Sequence, residues 1–194
     1  SVLDQRLRVA VGRASRVHRR SLTEYNKADA GRPALRQAVA QRALLDTIEL
    51  AKAVKKAYEM TDPNETMIVV TADHSHVFTI AGYPHRGNDI LGLTKEVPPV
   101  DGNPTAPTKA GDGMPYTTLG YQNGPGAVNG ARADLTSVDT TALGYLQQAV
   151  VPMGSETHAG EDVAIYATGP HAHLVRGSME QNWIYHVMKE AFGF

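Results

Sequence analysis

MIVVTADHSH, residues 67–76, is the stretch of sequence that decides the fold. Its first five residues are apolar or β-branched throughout, which is typical of a strand buried in a parallel sheet. The preceding segment, residues 38–60, predicts a helix, because apolar side chains recur at the three- and four-residue spacing of one helix face: Leu44, Ile48, Ala51, Val54 and Tyr58. A helix followed by a buried strand indicates an α/β sheet.

A different composition begins at Gly82. Glycine and proline recur from there to about Gly130 so often that a layered sheet with regular helices cannot continue. We interpret residues 82–150 as a loop-rich insertion with little helix. A disordered linker is the alternative, and large side chains available for packing argue against it: Tyr116, Leu119 and Tyr121.

Regular structure is predicted to return after the insertion. Residues 162–167 are typical of a short strand. Ser178 and Gln181 have the spacing of a capping box, which predicts a helix from Ser178 to about Phe192. Three segments are therefore predicted along the chain: residues 1–81 with the helix and core strand, the insertion at 82–150, and the return to the core at 151–194.

The composition excludes several classes of function. The formal net charge of −1 gives no electrostatic reason to expect nucleic acid or an anionic membrane as a partner. No apolar run approaches the roughly 20 residues that a membrane-spanning helix needs. The first ten residues lack the apolar stretch of a secretory signal, so we expect any such signal to have been removed. Cysteine is absent, so any metal must be held by His, Asp or Glu.

Two short segments carry residue types that bind metals. Asp73 and His74 follow the predicted strand at its carboxyl end, the edge at which ligands bind in open α/β sheets. A carboxylate and an imidazole suit zinc, and both can face one ion only if the backbone leaves strand geometry after Thr71. His158 lies in a second loop, beside small residues and before the strand at 162–167. Taken alone, such segments are more often structural than metal-binding.

The wording and order of four segments resemble the alkaline phosphatases: DTIELAKAVKKAYEM, TADHSHVFTIAGYPHRGNDILGL, DGMPYTTLGYQNGPG and ETHAGEDVAIYATGPHAHLVRGSMEQNWIYHVM. The resemblance runs from about Leu44 to Phe192, so the chain looks like the C-terminal portion of such a protein. It implies an α/β fold, part of an alkaline-phosphatase-like sandwich with a mostly parallel sheet. It also implies that residues 82–150 are the inserted crown subdomain, which in many members lies near a homodimer interface.

The same resemblance assigns metal roles to individual residues. Asp73 and His74 match ligands of the zinc that binds the nucleophilic serine, and His158 matches a ligand of the other zinc. His76 lies close by in the family's loop without binding metal directly, so it is expected to support the ligands. Members of the family usually bind magnesium as well.

The chain departs from the family pattern in its first 40 residues. No residue matches the nucleophilic serine, the arginine that clamps phosphate or the magnesium ligands. By register, Lys27, Arg32 and Arg36 occupy positions at which the family has metal-binding residues, and cations cannot replace them. The upstream sequence is therefore either scrambled or that of a truncated, divergent member.

These observations predict phosphate-monoester hydrolysis by a two-zinc alkaline phosphatase, of which this chain carries part of the site. By resemblance we expect a homodimer that is periplasmic or secreted. Two alternatives stay open. One is another hydrolase of the wider superfamily, such as a sulfatase or phosphodiesterase, since those also place an Asp-His pair after a strand. The other is a non-catalytic remnant that binds zinc or mediates dimerisation.

Overall fold

The computed structural model describes residues 38–96 and 106–194. Within them, the predicted helix at 38–60 and the predicted strand at 67–71 are confirmed, and the strand predicted at 162–167 begins only at Ile165. The elements in chain order are α1 (Ala40–Glu59), β1 (Ile68–Thr71), β2 (Ser75–His76), β3 (Phe78–Ile80), β4 (Leu119–Gly124), β5 (Ala149–Pro152), β6 (His158–Ala159), β7 (Ile165–Thr168), the 3-10 helix Ala172–Leu174 and α2 (Trp183–Ala191).

The described residues divide into two compact units. The first contains Asp46–Ser75 and Asp162–Phe194, and the second contains residues 38–45 together with the described part of His76–Glu161. The boundaries predicted at residues 81 and 150 stay predictions. No helix within the described ranges is long and apolar enough to span a bilayer.

The core of the first unit forms where β1 meets β7 and α2. β1 pairs antiparallel with β7 along its whole length, from Ile68 opposite Thr168 to Thr71 opposite Ile165. Met67 and Val69 share a face, because side chains alternate along a strand, and they pack with Val187 of α2. Partly buried side chains surround this cluster: Ile165, Ala167, Leu174, Val175 and Ala191.

The expectation of a mostly parallel sheet is wrong for the three strand pairs whose directions the described residues establish. β1–β7 and β3–β4 are antiparallel, and β4–β5 is parallel. An unbroken apolar run reports burial on both faces of a strand but carries no information about the direction of its neighbour. The described strands form small sheets, so mixed α/β content is the part of the predicted fold class that is confirmed.

The capping-box prediction for the C-terminal helix is also wrong, because α2 begins at Trp183 and not at Ser178. The N-cap is Asn182, whose side chain makes no capping hydrogen bond. The Trp183 indole Nε1 instead donates to the Leu174 carbonyl at 2.9 Å. A tertiary contact thus anchors the first helical residue, and a local sequence pattern does not encode such a contact.

The second unit is built around β4. This strand pairs with β3 and β5, and its side chains Leu119 and Tyr121 are buried. Tyr116 is partly buried, and its hydroxyl donates to Glu96 Oε1 at 3.0 Å. The described residues between 82 and 150 contain no helix. The predictions of little helix and of packing through these three side chains are therefore confirmed.

A buried glutamine holds the start of α1 in the second unit. Gln147 is only 1% exposed. Its Oε1 accepts from the Ala40 N–H at 2.8 Å, and its own N–H donates to the Ala38 carbonyl at 3.0 Å. The Ala40 N–H lies at the helix start, where backbone donors have no partner within the helix. Gly126 approaches the same residue so closely that a Cβ there would overlap the Gln147 carbonyl.

Arg132 ties several loop segments of the second unit together. Its Nε and one terminal nitrogen donate to the two Asp112 carboxylate oxygens, both at 2.7 Å. The guanidinium also donates to the carbonyls of Met114 and Pro115 and to Gln148 Oε1, each at 3.1 Å. The guanidinium hydrogen bonds lower the pKa of Asp112 from 3.8 to about 2.

Gly169→Ala is expected to destabilise the first unit. Gly169 has a φ of +91°, and a Cβ there would overlap the Thr66 carbonyl, so both the backbone conformation and the available space exclude alanine. We expect the free energy of unfolding to fall by on the order of 2–4 kcal/mol, measured by urea unfolding with Trp183 fluorescence. The matched control is Gly177→Ala, at which φ is +67° but no atom lies within 4 Å of the added Cβ, so the loss should be about 1 kcal/mol. Equal losses would contradict the steric argument.

The Asp112–Arg132 pair predicts a loss of stability at acid pH. Because the pKa of Asp112 in the folded chain is lowered from 3.8 to about 2, its stabilising contribution is present above about pH 4 and is lost as the pH falls through about 2. The difference in urea midpoint between wild type and Asp112→Asn should therefore shrink between those two pH values. Arg132→Lys removes the guanidinium that donates to both Asp112 oxygens. The difference in urea midpoint between wild type and this variant should shrink over the same pH range. A difference that stays constant over this range would contradict the assignment.

Candidate metal centre

Asp73 and His74 lie in a bend just past the exposed end of β1. Burial falls along β1, from two buried residues at its start to the exposed Thr71. The Thr71 hydroxyl donates to the Ala164 carbonyl at 3.0 Å, which ties the end of β1 to the segment before β7. Regular pairing resumes only at Ser75, the first residue of β2. The predicted departure of the backbone from strand geometry after Thr71 is therefore confirmed.

The side chains of Asp73 and His74 are close enough to share one ion. His74 Nε2 lies 3.6 Å from Asp73 Oδ2. Two zinc ligands at about 2.0–2.2 Å from the metal, at a tetrahedral angle, lie roughly 3.4 Å apart, so the observed separation fits a pair on one zinc ion. The Asp73 side chain is 91% exposed and that of His74 is 37% exposed, so both can be reached from solvent.

A backbone carbonyl sets the orientation of the His74 ring. His74 Nδ1 lies 2.8 Å from the Ser75 carbonyl oxygen. That oxygen can only accept a hydrogen bond, so Nδ1 carries the hydrogen and the lone pair of the neutral ring is on Nε2. Nε2 is the atom on the Asp73 side. A ring in which one nitrogen donates to a carbonyl while the other binds metal is the usual arrangement of a metal-binding histidine.

His158 and His76 belong to the second unit, and their strands, β6 and β2, form a two-stranded sheet. His158 is exposed at the first position of β6. The His76 ring contacts Tyr121 edge to face, with ring centroids 5.9 Å apart. Burial, together with the charge of Glu156, raises the pKa of Tyr121 well above its ordinary value of 10. His76 therefore packs against a phenol that stays neutral.

Sequence reasoning missed two residues of this region, Asn123 and Thr157. Their side chains form hydrogen bonds although 34 positions separate them in the chain. In the sequence, Asn123 opens the pattern Asn-Gly-Pro-Gly, which is typical of a turn. That local interpretation gave no indication that the amide contacts the residue before His158.

The described residues do not complete a catalytic zinc centre. A catalytic zinc takes three protein ligands and an open position. Within residues 38–96 and 106–194, no group of three or more His, Cys, Asp or Glu side chains could hold one ion. The Asp73–His74 pair fits two coordination positions only. The positions that the resemblance predicts to align with metal-binding residues of the family lie outside the described residues: Lys27, Arg32 and Arg36.

Comparison with known proteins agrees with the resemblance of the quoted segments. The family model described as alkaline phosphatase matches residues 32–194. The alkaline phosphatase of Gadus morhua is 45% identical over 153 residues, which make up 78% of this chain and 30% of that protein. The tissue-nonspecific isozymes of Gallus gallus and Rattus norvegicus are each 46% identical over 78% of this chain, covering 28% and 27% of those proteins.

The chain thus spans less than a third of the length of these curated relatives. The matched region contains β1, the bend with Asp73 and His74, and the strand that begins at His158. Since the family model covers most of the sequence, including every helix and strand of the described residues, the chain belongs to the alkaline phosphatase family.

Proposed function

We propose that this chain carries part of the active site of a phosphate-monoester hydrolase. Its relatives are named alkaline phosphatases, and one structural observation carries the proposal. A carboxylate oxygen of Asp73 and the imidazole Nε2 of His74 lie 3.6 Å apart at the open end of β1. This is the edge of the sheet at which a ligand can reach both groups.

The reaction explains why metal-binding residues would be needed. Phosphate monoesters hydrolyse so slowly in water that enzymes accelerate the reaction by up to about 10²¹-fold. Bound metal ions supply positive charge to the attacking and leaving oxygens. The contribution of this chain is to present ligands in a fixed geometry. Asp73 provides an anionic oxygen, and the Ser75 carbonyl holds the His74 ring with Nε2 as its acceptor nitrogen.

The remaining assignments rest on the family resemblance. We propose His158 as a ligand of a second zinc ion, His76 as a residue that supports the ligands, and magnesium as a further metal. Residues 1–81 and 151–194 would form the partial sandwich, and residues 82–150 the crown-like insertion. A homodimer that is periplasmic or secreted belongs to the same proposal. Membership of the family argues against a sulfatase or a phosphodiesterase.

A non-catalytic role for this chain alone is the second candidate, and one observation favours it. Residues 38–96 and 106–194 contain no three-ligand group that could hold an ion. A pair of ligands leaves a zinc ion with fewer protein bonds than catalytic sites have. The two candidates therefore differ in what they predict for the isolated chain and for a protein in which the site is completed.

The 194-residue chain alone is expected to bind zinc weakly and to hydrolyse p-nitrophenyl phosphate little above background at alkaline pH, because its described residues supply only two ligands to one ion. Competition with a chromophoric chelator measures zinc binding. His74→Ala should weaken binding by about tenfold or more, whereas His173→Ala, which removes an exposed histidine of the same unit, should leave it unchanged. Substantial turnover that His158→Ala abolishes would show that the ligand count is wrong.

A chimera tests the proposed function itself. In the chimera, residues 44–194 of this chain replace the matching part of the Gadus morhua alkaline phosphatase. The rest of the chimera is the Gadus morhua sequence, which is 45% identical to this chain over the matched region. We expect zinc-dependent hydrolysis of p-nitrophenyl phosphate. His74→Ala in the chimera should reduce the rate by at least about a hundredfold, since losing a ligand costs more than losing a residue that supports one, and His173→Ala should have little effect. A folded but inactive chimera would falsify the assignment of Asp73 and His74.

A further inference from the structure

The Asn123 side chain forms a two-point contact with Thr157 in the second unit. Asn123 Oδ1 accepts from the Thr157 N–H at 2.9 Å, and Asn123 Nδ2 donates to the Thr157 hydroxyl, also at 2.9 Å. A backbone N–H can only donate, so the amide oxygen must be the atom that faces it. The contact therefore determines which atom of the Asn123 amide is the oxygen and which is the nitrogen.

Backbone hydrogen bonds close this contact into a ring. The Val77 N–H donates to the Thr157 carbonyl at 3.5 Å, and the Gln122 N–H donates to the Val77 carbonyl at 2.9 Å. Gln122 and Asn123 are neighbours in β4, so the ring runs from β4 to Val77, on to Thr157 and back to β4. The N–H, the carbonyl and the hydroxyl of Thr157 are all engaged.

The ring contains the backbone next to two histidines. Val77 directly follows His76, and Thr157 directly precedes His158. The strands that carry these histidines, β2 and β6, are only two residues long each, and a pair of such short strands is marginally stable by itself. β4 has six residues, and partners on both sides. The ring thus connects the two short strands to the most extensively paired strand of the unit.

We propose that Asn123 is a positioning residue for His158. Its amide fixes the backbone from which the His158 side chain starts. Through the hydrogen bond between Thr157 and Val77, it also fixes the backbone beside His76 relative to that of His158. This inference deepens the proposed function, since it rests on the proposed role of His158 as a metal ligand. Alanine at position 123 would leave the Thr157 N–H and hydroxyl to water and release the segment that leads into His158.

The test compares variants of the 194-residue chain by NMR. We call the two-point contact between Asn123 and Thr157 the clamp. Hydrogen exchange of the Thr157 amide measures whether the clamp is formed. The imidazole signals of His158 during titration with Zn²⁺ alone measure whether the clamp affects zinc binding by His158. In Asn123→Ala we expect Thr157 exchange to accelerate about tenfold and the zinc concentration at half-response of His158 to rise by 10- to 100-fold. Gln122→Ala is the matched control, because its exposed side chain lies next to Asn123 and its backbone bond to Val77 is kept.

A second pair of variants tests the clamp from the other side. Thr157→Val removes the hydroxyl and should weaken the zinc response of His158, whereas Thr157→Ser keeps the hydroxyl and should restore it. This comparison also decides the question if Asn123→Ala does not fold. A purely structural role would instead lower the urea midpoint of Thr157→Val in step with the zinc response.

The outcomes separate this inference from the proposed function. If the wild-type His158 signals do not respond to Zn²⁺, His158 is not a zinc ligand in this chain alone and the positioning role is overturned for it, while Thr157 exchange still tests the contact and the chimera still tests the proposed function. If Asn123→Ala changes neither Thr157 exchange nor the His158 signals, the clamp is wrong. If exchange accelerates equally throughout the second unit, with a matching fall in urea midpoint, Asn123 is a general stabilising residue and the positioning role is overturned.

Discussion

The antiparallel pairing of β1 with β7 is the interaction on which the rest of the first unit depends. The pairing runs over all four residues of β1 and supplies the strand face on which Met67 and Val69 pack with Val187. The turn that follows β7 then approaches Thr66 so closely that only glycine fits at position 169. Because β1 is fixed along its length, the bend that follows it has a fixed origin, and the two side chains of that bend start from a defined backbone.

The second unit is held in a different way. Much of its chain lies in loops, where polar side chains pair with backbone groups: Gln147 at the start of α1, Arg132 among the loops and Asn123 before β6. Each such hydrogen bond contributes about 0.5–1.5 kcal/mol net, but leaving a buried partner unsatisfied costs about 1–3 kcal/mol. In this loop-rich unit a small number of polar residues therefore add to the apolar packing of Leu119 and Tyr121, whereas the core of the first unit is apolar.

Local patterns in the sequence predicted α1, β1 and the bend with Asp73 and His74, because periodicity and residue type report local geometry directly. They did not predict the direction of the neighbour of β1 or the start of α2 at Trp183, since both depend on distant partners. The contact between Asn123 and Thr157 was missed for the same reason. Periodicity also identified an apolar face on α1 without saying what covers it, and Ile48 and Tyr58 on that face are 49% and 53% exposed.

The decline of burial along β1 divides the stretch MIVVTADHSH into two halves with different tolerance to change. Substitutions near Met67 act on a fully enclosed side chain, where a change of one or two carbon atoms alters the stability of the unit. Substitutions at Asp73 act on a side chain that is 91% exposed, where stability changes little. Substitutions in the outer half can therefore change the side chains at the open end of β1, the proposed ligands among them, while the inner half keeps the same folded scaffold. A short strand that ends in solvent thus lets the residues at its end vary at little cost in the free energy of unfolding.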